Sequence, residues 1–396
     1  MKKLMILGAG IYQVPLIKKA KEMGFMTIVI SIKGNYPGFN YADTVYYIDT
    51  TDSAKVLEVA QKENIDGIVT TGTDVAIATL GLVCEKMGLP GIKSSAATKV
   101  CDKKLMKEAF YQGMVNTAQY KESATNISEY ELINMCVKMQ FPLVFKAVDS
   151  SGSRGIEIVK KKEDISSAFN TVLSVTKQNY FIIEEFLNGQ EFGAQAFVQN
   201  GKIEFVLPHG DYVFQSKTGV PIGHFVPYTI DMESDLITNE VVKAVKILGL
   251  DNCALNLDFI YAKNKIYVLE IGARCGATCL AELVSIWYGF DYYEKIIEVA
   301  MGIPVDFSPK NTSRVPNASK LLISSNTGKI LNINNSIKNI TDYYELQFDY
   351  TMGDFVKKFS VGSDRIGHII TVGETLNEAE LKLNDCIKNI SFEIEE

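Results

Sequence analysis

Residues 255–276 constrain this chain more than any other stretch, because they place two acidic side chains inside an otherwise apolar hairpin. Two runs rich in β-branched and aromatic residues flank Ala262-Lys-Asn-Lys265, a hairpin signal. With the turn centred on Asn264, Asp258 and Glu270 face each other directly, their Cβ atoms roughly 5 Å apart. Ile260 and Val268 should share their face, and Leu257, Phe259, Tyr267, Leu269 and Ile271 should line the other, so the hairpin is expected to be largely buried. Opposed like charges repel, and burial raises the cost of each anion. A shared proton, a basic side chain such as Arg274, or a bound divalent cation would offset this; a register slipped by one residue would remove the problem.

The 396 residues exceed what one core organises, so two or three domains are expected. A formal charge of −7 argues against a nucleic-acid surface, which needs a basic footprint. No apolar run approaches the ~18 residues that span a bilayer. The opening Met-Lys-Lys-Leu passes at once into a strand–turn–helix pattern and does not read as a signal peptide. Seven scattered cysteines without a Cys-x-x-Cys suit reduced thiols, and the expected location is the cytoplasm.

Strands near 2–7, 27–32, 45–48 and 65–70 alternate with helices near 14–23, 53–63 and 74–87, which predicts a doubly wound parallel sheet. Gly8-x-Gly10 with Gln13 in the third position is an incomplete dinucleotide fingerprint, so a tight turn under a substrate is expected there rather than NAD. A helix is predicted over Lys99–Gln112, carrying Lys103, Lys104 and Lys107. Phe141–Lys146 is an apolar strand ending on a lysine, and Ser150, Ser151, Gly152, Ser153, Arg154 and Gly155 follow. Small residues let backbone N–H groups converge on an anion, and Lys146 adds a full charge, so this is read as a phosphate cradle. The strand Tyr180–Ile183 runs into Glu184, Glu185, Phe186, Leu187 and Glu191, an acidic linker that alone specifies no site. Residues 209–227, with His209 and His224, read as a long polar loop, and a smaller α+β unit is expected from 306 to the end.

In order and spacing these pieces resemble the ATP-grasp superfamily of carboxylate–amine ligases, on the branch holding biotin carboxylase, carbamoyl-phosphate synthetase halves, phosphoribosylglycinamide synthetase and bacterial L-amino acid ligases. The residues that carry the resemblance are Asp102-Lys103, Lys146 with the loop through Gly155, Glu184 to Leu187 with Glu191, and Asp258 with Glu270-Ile-Gly-Ala-Arg274. It implies an α/β ATP-grasp fold with a Rossmann-like domain over 1–97, an ATP-grasp domain over 98–305 (lid about 115–187) and a small α+β domain over 306–396. By the same resemblance Lys103 and Lys146 contact ATP phosphates under a lid of Ser151, Gly152, Ser153 and Gly155. Glu184, Glu185, Phe186 and Leu187 border the adenine, and Glu191 holds the ribose. Asp258 and Glu270 bind magnesium, or manganese in its place. Lys146 and Arg274 stabilise the phosphorylated intermediate, and His209, His224, Arg274 and Gly276 touch substrate.

The implied reaction activates a small carboxylic or amino acid as an acyl phosphate, releasing ADP, before an amine displaces phosphate. Alternatives are bicarbonate activation, a non-catalytic ATP or metabolite binder, and an NAD enzyme built on the first unit. The implied partners are small-molecule carboxylates and amines, and a second copy of the chain as a homodimer. Two positions depart from the pattern: Gly272 stands where many members have a metal-binding asparagine, and Pro221 where amino acid ligases tend to be acidic.

Overall fold

A computed structural model describes residues 1–395 apart from 151, 153, 216–218, 230–234, 311, 312, 340 and 342. Strands Thr44–Tyr47, Met26–Ser31, Lys3–Leu7 and Gly67–Val69 form, in that spatial order, a parallel sheet. Helices Val14–Glu22, Ser53–Glu63 and Ile77–Met87 connect or follow them. Leu4, Met5, Ile6 and Leu7 are all fully buried, as a strand covered on both faces requires. Gly8 turns the chain at φ +101°, and the Gln13 side chain lies over Gly8 and Gly10 and donates to the Thr71 carbonyl.

The predicted helix at 99–112 is two helices, Ser94–Cys101 and Lys103–Gln112. Asp102 breaks them: its backbone is extended, and its carboxylate caps the second helix by accepting from the N–H groups of Lys104 (2.8 Å) and Leu105 (3.1 Å). A four-stranded antiparallel sheet, ordered Tyr120–Ala124, Tyr180–Glu185, Leu143–Lys146, Ile156–Val159, has its own core around Leu143, Phe145, Phe181 and Ile183.

The largest element is an eight-stranded antiparallel sheet. Its order is Lys265–Gly272, Cys253–Ala262, Gln190–Gln199, Lys202–Phe214, Val220–Val226, Asn317–Leu322, Gly367–Val372, Glu345–Phe348. The C-terminal segment therefore continues this sheet edge to edge, and adds a three-stranded sheet of Phe355–Val356, Gly328–Asn335 and Ile390–Glu395. The described residues of 209–227 do not form a polar loop. They lie mostly in two paired strands, whose polar residues alternate on one face and so imitate loop composition.

The register of the acidic hairpin is partly as expected. Asp258 opposes Glu270 and Leu257 opposes Ile271, but nearer the turn Phe259 opposes Val268 and Ile260 opposes Tyr267. The turn is a two-residue one, with Lys263 and Asn264 both at positive φ, the conformation that tight hairpins favour. A bulge at Asp258/Phe259 absorbs the extra residue. It moves Val268 to the Phe259 side and sets Tyr267 and Leu269 against Ile260. The acidic pair stays opposed because the bulge compensates the shorter turn.

Candidate functional site

Asp258, Gly193 and His209 lie in register on three neighbouring strands, with Glu270 opposite Asp258 on the edge strand. A methyl group at Gly193 would come within 2.2 Å of the His209 ring, so glycine is what lets the ring lie across the strand. Asp258 is exposed at the floor of this face although protein surrounds it, whereas the hairpin had been expected to bury it. Burial by the surrounding protein, then the charges of Glu270 and Asp211, push its carboxyl up to about 7; Arg274 and His209 only partly offset them.

Glu270 has a basic partner, and it is Lys103 rather than Arg274. The Lys103 ammonium lies 3.0 Å from Glu270 and donates to the Ser150 carbonyl at 2.5 Å. Arg274 instead makes a two-pronged ion pair with Asp74, at 2.8 and 2.7 Å. Asp74 Oδ1 also sits 2.8 Å from where a Cβ on residue 272 would lie, so the carboxylate fills the space that Gly272 leaves empty.

Lys146, at the end of its strand, pairs with Glu184 at 2.7 Å. On its other oxygen Glu184 meets Lys107 at 3.1 Å, and Lys107 donates to Thr117 at 2.7 Å. Lys107 is 1% exposed and Glu184 2%. Burial alone would raise the Glu184 carboxyl, yet the Lys107 and Lys146 ammoniums hold it below the usual carboxylate range. Burial pushes Lys107 down to about 8. Sequence reasoning missed Lys107. The signal was present: Lys103, Met106, Lys107 and Phe110 are the buried stripe of the helix, and lysines in an apolar stripe need partners.

Glu185 accepts from the Gln119 N–H at 3.0 Å, and Phe186 donates its backbone N–H to the Pro142 carbonyl at 3.2 Å. Leu187 packs with Ala118, Ile260, Ala262, Tyr267 and Leu269, an apolar shelf on the Asp258 side of the hairpin. Glu191 is exposed beside it. In the loop after Lys146, Gly152 and Gly155 have φ +64° and +69°, and a Cβ on Gly152 would meet nothing within 4 Å. Ser151 and Ser153 lie outside the described residues.

His209 and His224 converge on Asp211, whose Oδ1 is 2.9 Å from His209 Nδ1 and 2.6 Å from His224 Nδ1. Gly276 donates its N–H to Gln195 at 2.9 Å. Beyond Gly276 the loop borders a cavity of about 250 Å³ lined by Tyr12, Thr278, Glu282, Arg365 and His368. Arg365 is paired there with Asp349 at 2.7 Å. Among the described residues no helix is long and apolar enough to cross a membrane.

Comparison with known proteins defines the class. The ATP-grasp domain family matches residues 139–282, and the family of L-amino acid ligase C-terminal domain 2 matches residues 320–395. The crystal structure of phosphoribosylglycinamide synthetase from Anaerococcus prevotii is 39% identical and superposes with a TM-score of 0.84, covering 100% of both chains. This chain belongs to the ATP-grasp superfamily of ATP-dependent ligases, which form carbon–nitrogen bonds. The formate-dependent phosphoribosylglycinamide formyltransferase of Prochlorococcus marinus (strain NATL2A) is 24% identical over 99% of this chain and 98% of its own. The alanine–anticapsin ligase of Bacillus subtilis (strain 168) is 25% identical over 66% of this chain and 61% of its own. ATP-grasp enzymes in general use ATP and Mg²⁺.

Proposed function

We propose that this chain activates a small carboxylic or amino acid as an acyl phosphate and joins it to an amine, releasing ADP and phosphate. The observation that carries the reading is the opposed Asp258–Glu270 pair on an open face, with the Lys146 strand end and Arg274 nearby. Two carboxylates held together by strand register, with excess negative charge at Asp258, fit a hard divalent cation. Magnesium, or manganese, would be held by Asp258 and Glu270 and, when bound, neutralises phosphate charge.

The chain's own residues supply the rest. Lys103 leaves Glu270 and, with Lys146, binds the phosphates; Lys107 and Glu184 hold Lys146 in place. The adenine rests on the shelf of Leu187, Ile260 and Leu269, bordered by Glu184, Glu185 and Phe186, and Glu191 takes the ribose hydroxyls. The loop from Ser150 to Gly155, Ser151 and Ser153 included, closes over the phosphates and keeps water from the acyl phosphate. Arg274, oriented by Asp74, stabilises charge on the transferring group. In this reading residues 1–97, 98–305 and 306–396 are three domains, with His209, His224 and Gly276 on the substrate side.

The test is ADP release with Mg-ATP across the twenty L-amino acids in pairs, formate with phosphoribosylglycinamide, and bicarbonate. Release that needs both a carboxylate and an amine is expected. ATP binding without turnover on any acid would defeat the reading, and release with bicarbonate alone would replace it by carboxyphosphate formation.

A further inference from the structure

The histidines beside the acidic pair carry a protonation pattern that can be worked out from their partners. Gln195 Oε1 accepts from the Gly276 main-chain N–H at 2.9 Å, a group that can only donate. The amide is thereby oriented, and its NH₂ faces Asn256 Oδ1 at 2.7 Å, the Ala194 carbonyl at 3.4 Å and His209 Nε2 at 3.5 Å. An amide NH₂ can only donate, so His209 Nε2 is an acceptor and the proton of the neutral ring is on Nδ1. That N–H points at Asp211 Oδ1.

Two ring nitrogens converge on the single oxygen Asp211 Oδ1, the arrangement of a carboxylate that only accepts. His224 Nδ1, 2.6 Å from the same oxygen, must then carry a proton as well. Its Nε2 keeps a lone pair and has no hydrogen-bond partner among the described residues. An imidazole held at Nδ1 by a buried carboxylate, with Nε2 free, is arranged to accept a proton. Asp211 and His224 are directly opposed on their strands; Asp211 lies one strand beyond Gly193 and two beyond Asp258, and His224 one strand further.

We propose that His224 is the general base of the coupling step, and that Asp211, backed by His209 and Gln195, is the positioning residue that fixes the His224 tautomer whose lone pair is on Nε2. This rests on the ligase reading above. At neutral pH an aliphatic amine is mainly R–NH₃⁺, which has no lone pair to attack with. Transfer of one ammonium proton to His224 Nε2 gives R–NH₂ and an imidazolium stabilised by Asp211. The amine lone pair then forms the C–N bond at the acyl carbon. The C–O bond to phosphate breaks with its electrons on oxygen, the second N–H proton leaves with the phosphate, and the imidazolium returns its proton to water. Among the described residues His209, Asp211, Tyr228, Asp258 and Arg274 are the charged or titratable groups around this site, while Lys320 of the adjoining strand lies over the Tyr212 ring on the opposite face.

Hydroxylamine separates the steps, because it is unprotonated at neutral pH and captures an acyl phosphate without a base. The enzyme, with Mg-ATP and each L-amino acid or formate in turn, is supplied with either hydroxylamine or an L-amino acid as nucleophile. In His224→Gln the ratio of hydroxamate to amide product is expected to rise at least about tenfold over wild type. Amide formation should recover toward pH 9.5, where the amine loses its own proton. Asp211→Asn should lower kcat for the amine with little change in its KM and move the acid limb of the pH profile, the limb that a general base sets. Equal loss of both products, or an unchanged ratio and pH profile, would overturn the assignment. Loss of coupling on chelation in excess Mg²⁺, restored by Zn²⁺, would overturn it in favour of a metal held by His209, Asp211 and His224. A wild-type enzyme that forms neither product with any acid would refute the ligase reading itself, and the base with it.

Discussion

Asp258→Asn should stabilise the ligand-free protein while destroying its activity. The carboxyl is raised from 3.8 to about 7, first by burial and then by Glu270 and Asp211. As the anion it therefore carries a penalty of at most ~4 kcal/mol in the folded state. Because the carboxylate opens to solvent, screening reduces that ceiling to about 1 kcal/mol. A carboxyl raised on folding binds its proton more tightly in the native state, so the native state loses stability as pH rises from about 4 to about 7. Asparagine keeps the shape and removes the charge, so it should flatten that slope and raise the melting temperature at pH 8 by roughly 1 °C. The assay is thermal melting in EDTA at pH 5 and pH 8, beside ADP release in Mg-ATP. Saturating Mg-ATP should reverse the order, since a ligand at a hundred times its Kd adds about 2.7 kcal/mol to whichever protein binds it. A variant less stable than wild type at pH 8 without ligand would refute the charge-pair argument, and so would one that gains as much as wild type from Mg-ATP.

Three further outcomes are expected. Glu270→Gln should lower ADP formation by ~10³-fold, roughly the several kcal/mol that a metal site contributes, and leave melting nearly unchanged, because the amide oxygen still accepts from Lys103. Lys107→Met leaves one oxygen of the buried Glu184 without its cation and should destabilise by about 3 kcal/mol in denaturant unfolding; adding Glu184→Leu should recover part of that loss, and a neutral Lys107→Met would disprove the buried triad. Glu345 is held below its ordinary value of 4.5 by His368, so its contribution is present above that value and fades as pH falls through the lowered one; Glu345→Gln should flatten acid unfolding below pH 4.5, followed by tryptophan fluorescence.

Local pattern was enough to identify the acidic hairpin, the lysine-ended strand before the Ser/Gly loop, and the alternation that makes a parallel sheet. Each rests on contacts between near neighbours or on a period of two or 3.6 residues, which a linear string displays. The opposition of Asp258 and Glu270 was legible too, though the turn had been centred half a residue too far along and the bulge restored the pairing. What tertiary structure alone decided is which charges meet. Lys103 meets Glu270 across 167 positions and Arg274 meets Asp74 across 200, separations no spacing rule reaches. Lys107 became a buried partner of Glu184 only when the four-stranded antiparallel sheet packed on its helix. Residues 209–214 and 220–226 looked like loop because three-dimensional pairing, rather than composition, makes them strands and turns His209, Asp211 and His224 toward one another. Periodicity is a property of the chain, whereas long-range charge pairing depends on how folded elements pack and on the low-dielectric surroundings that packing creates.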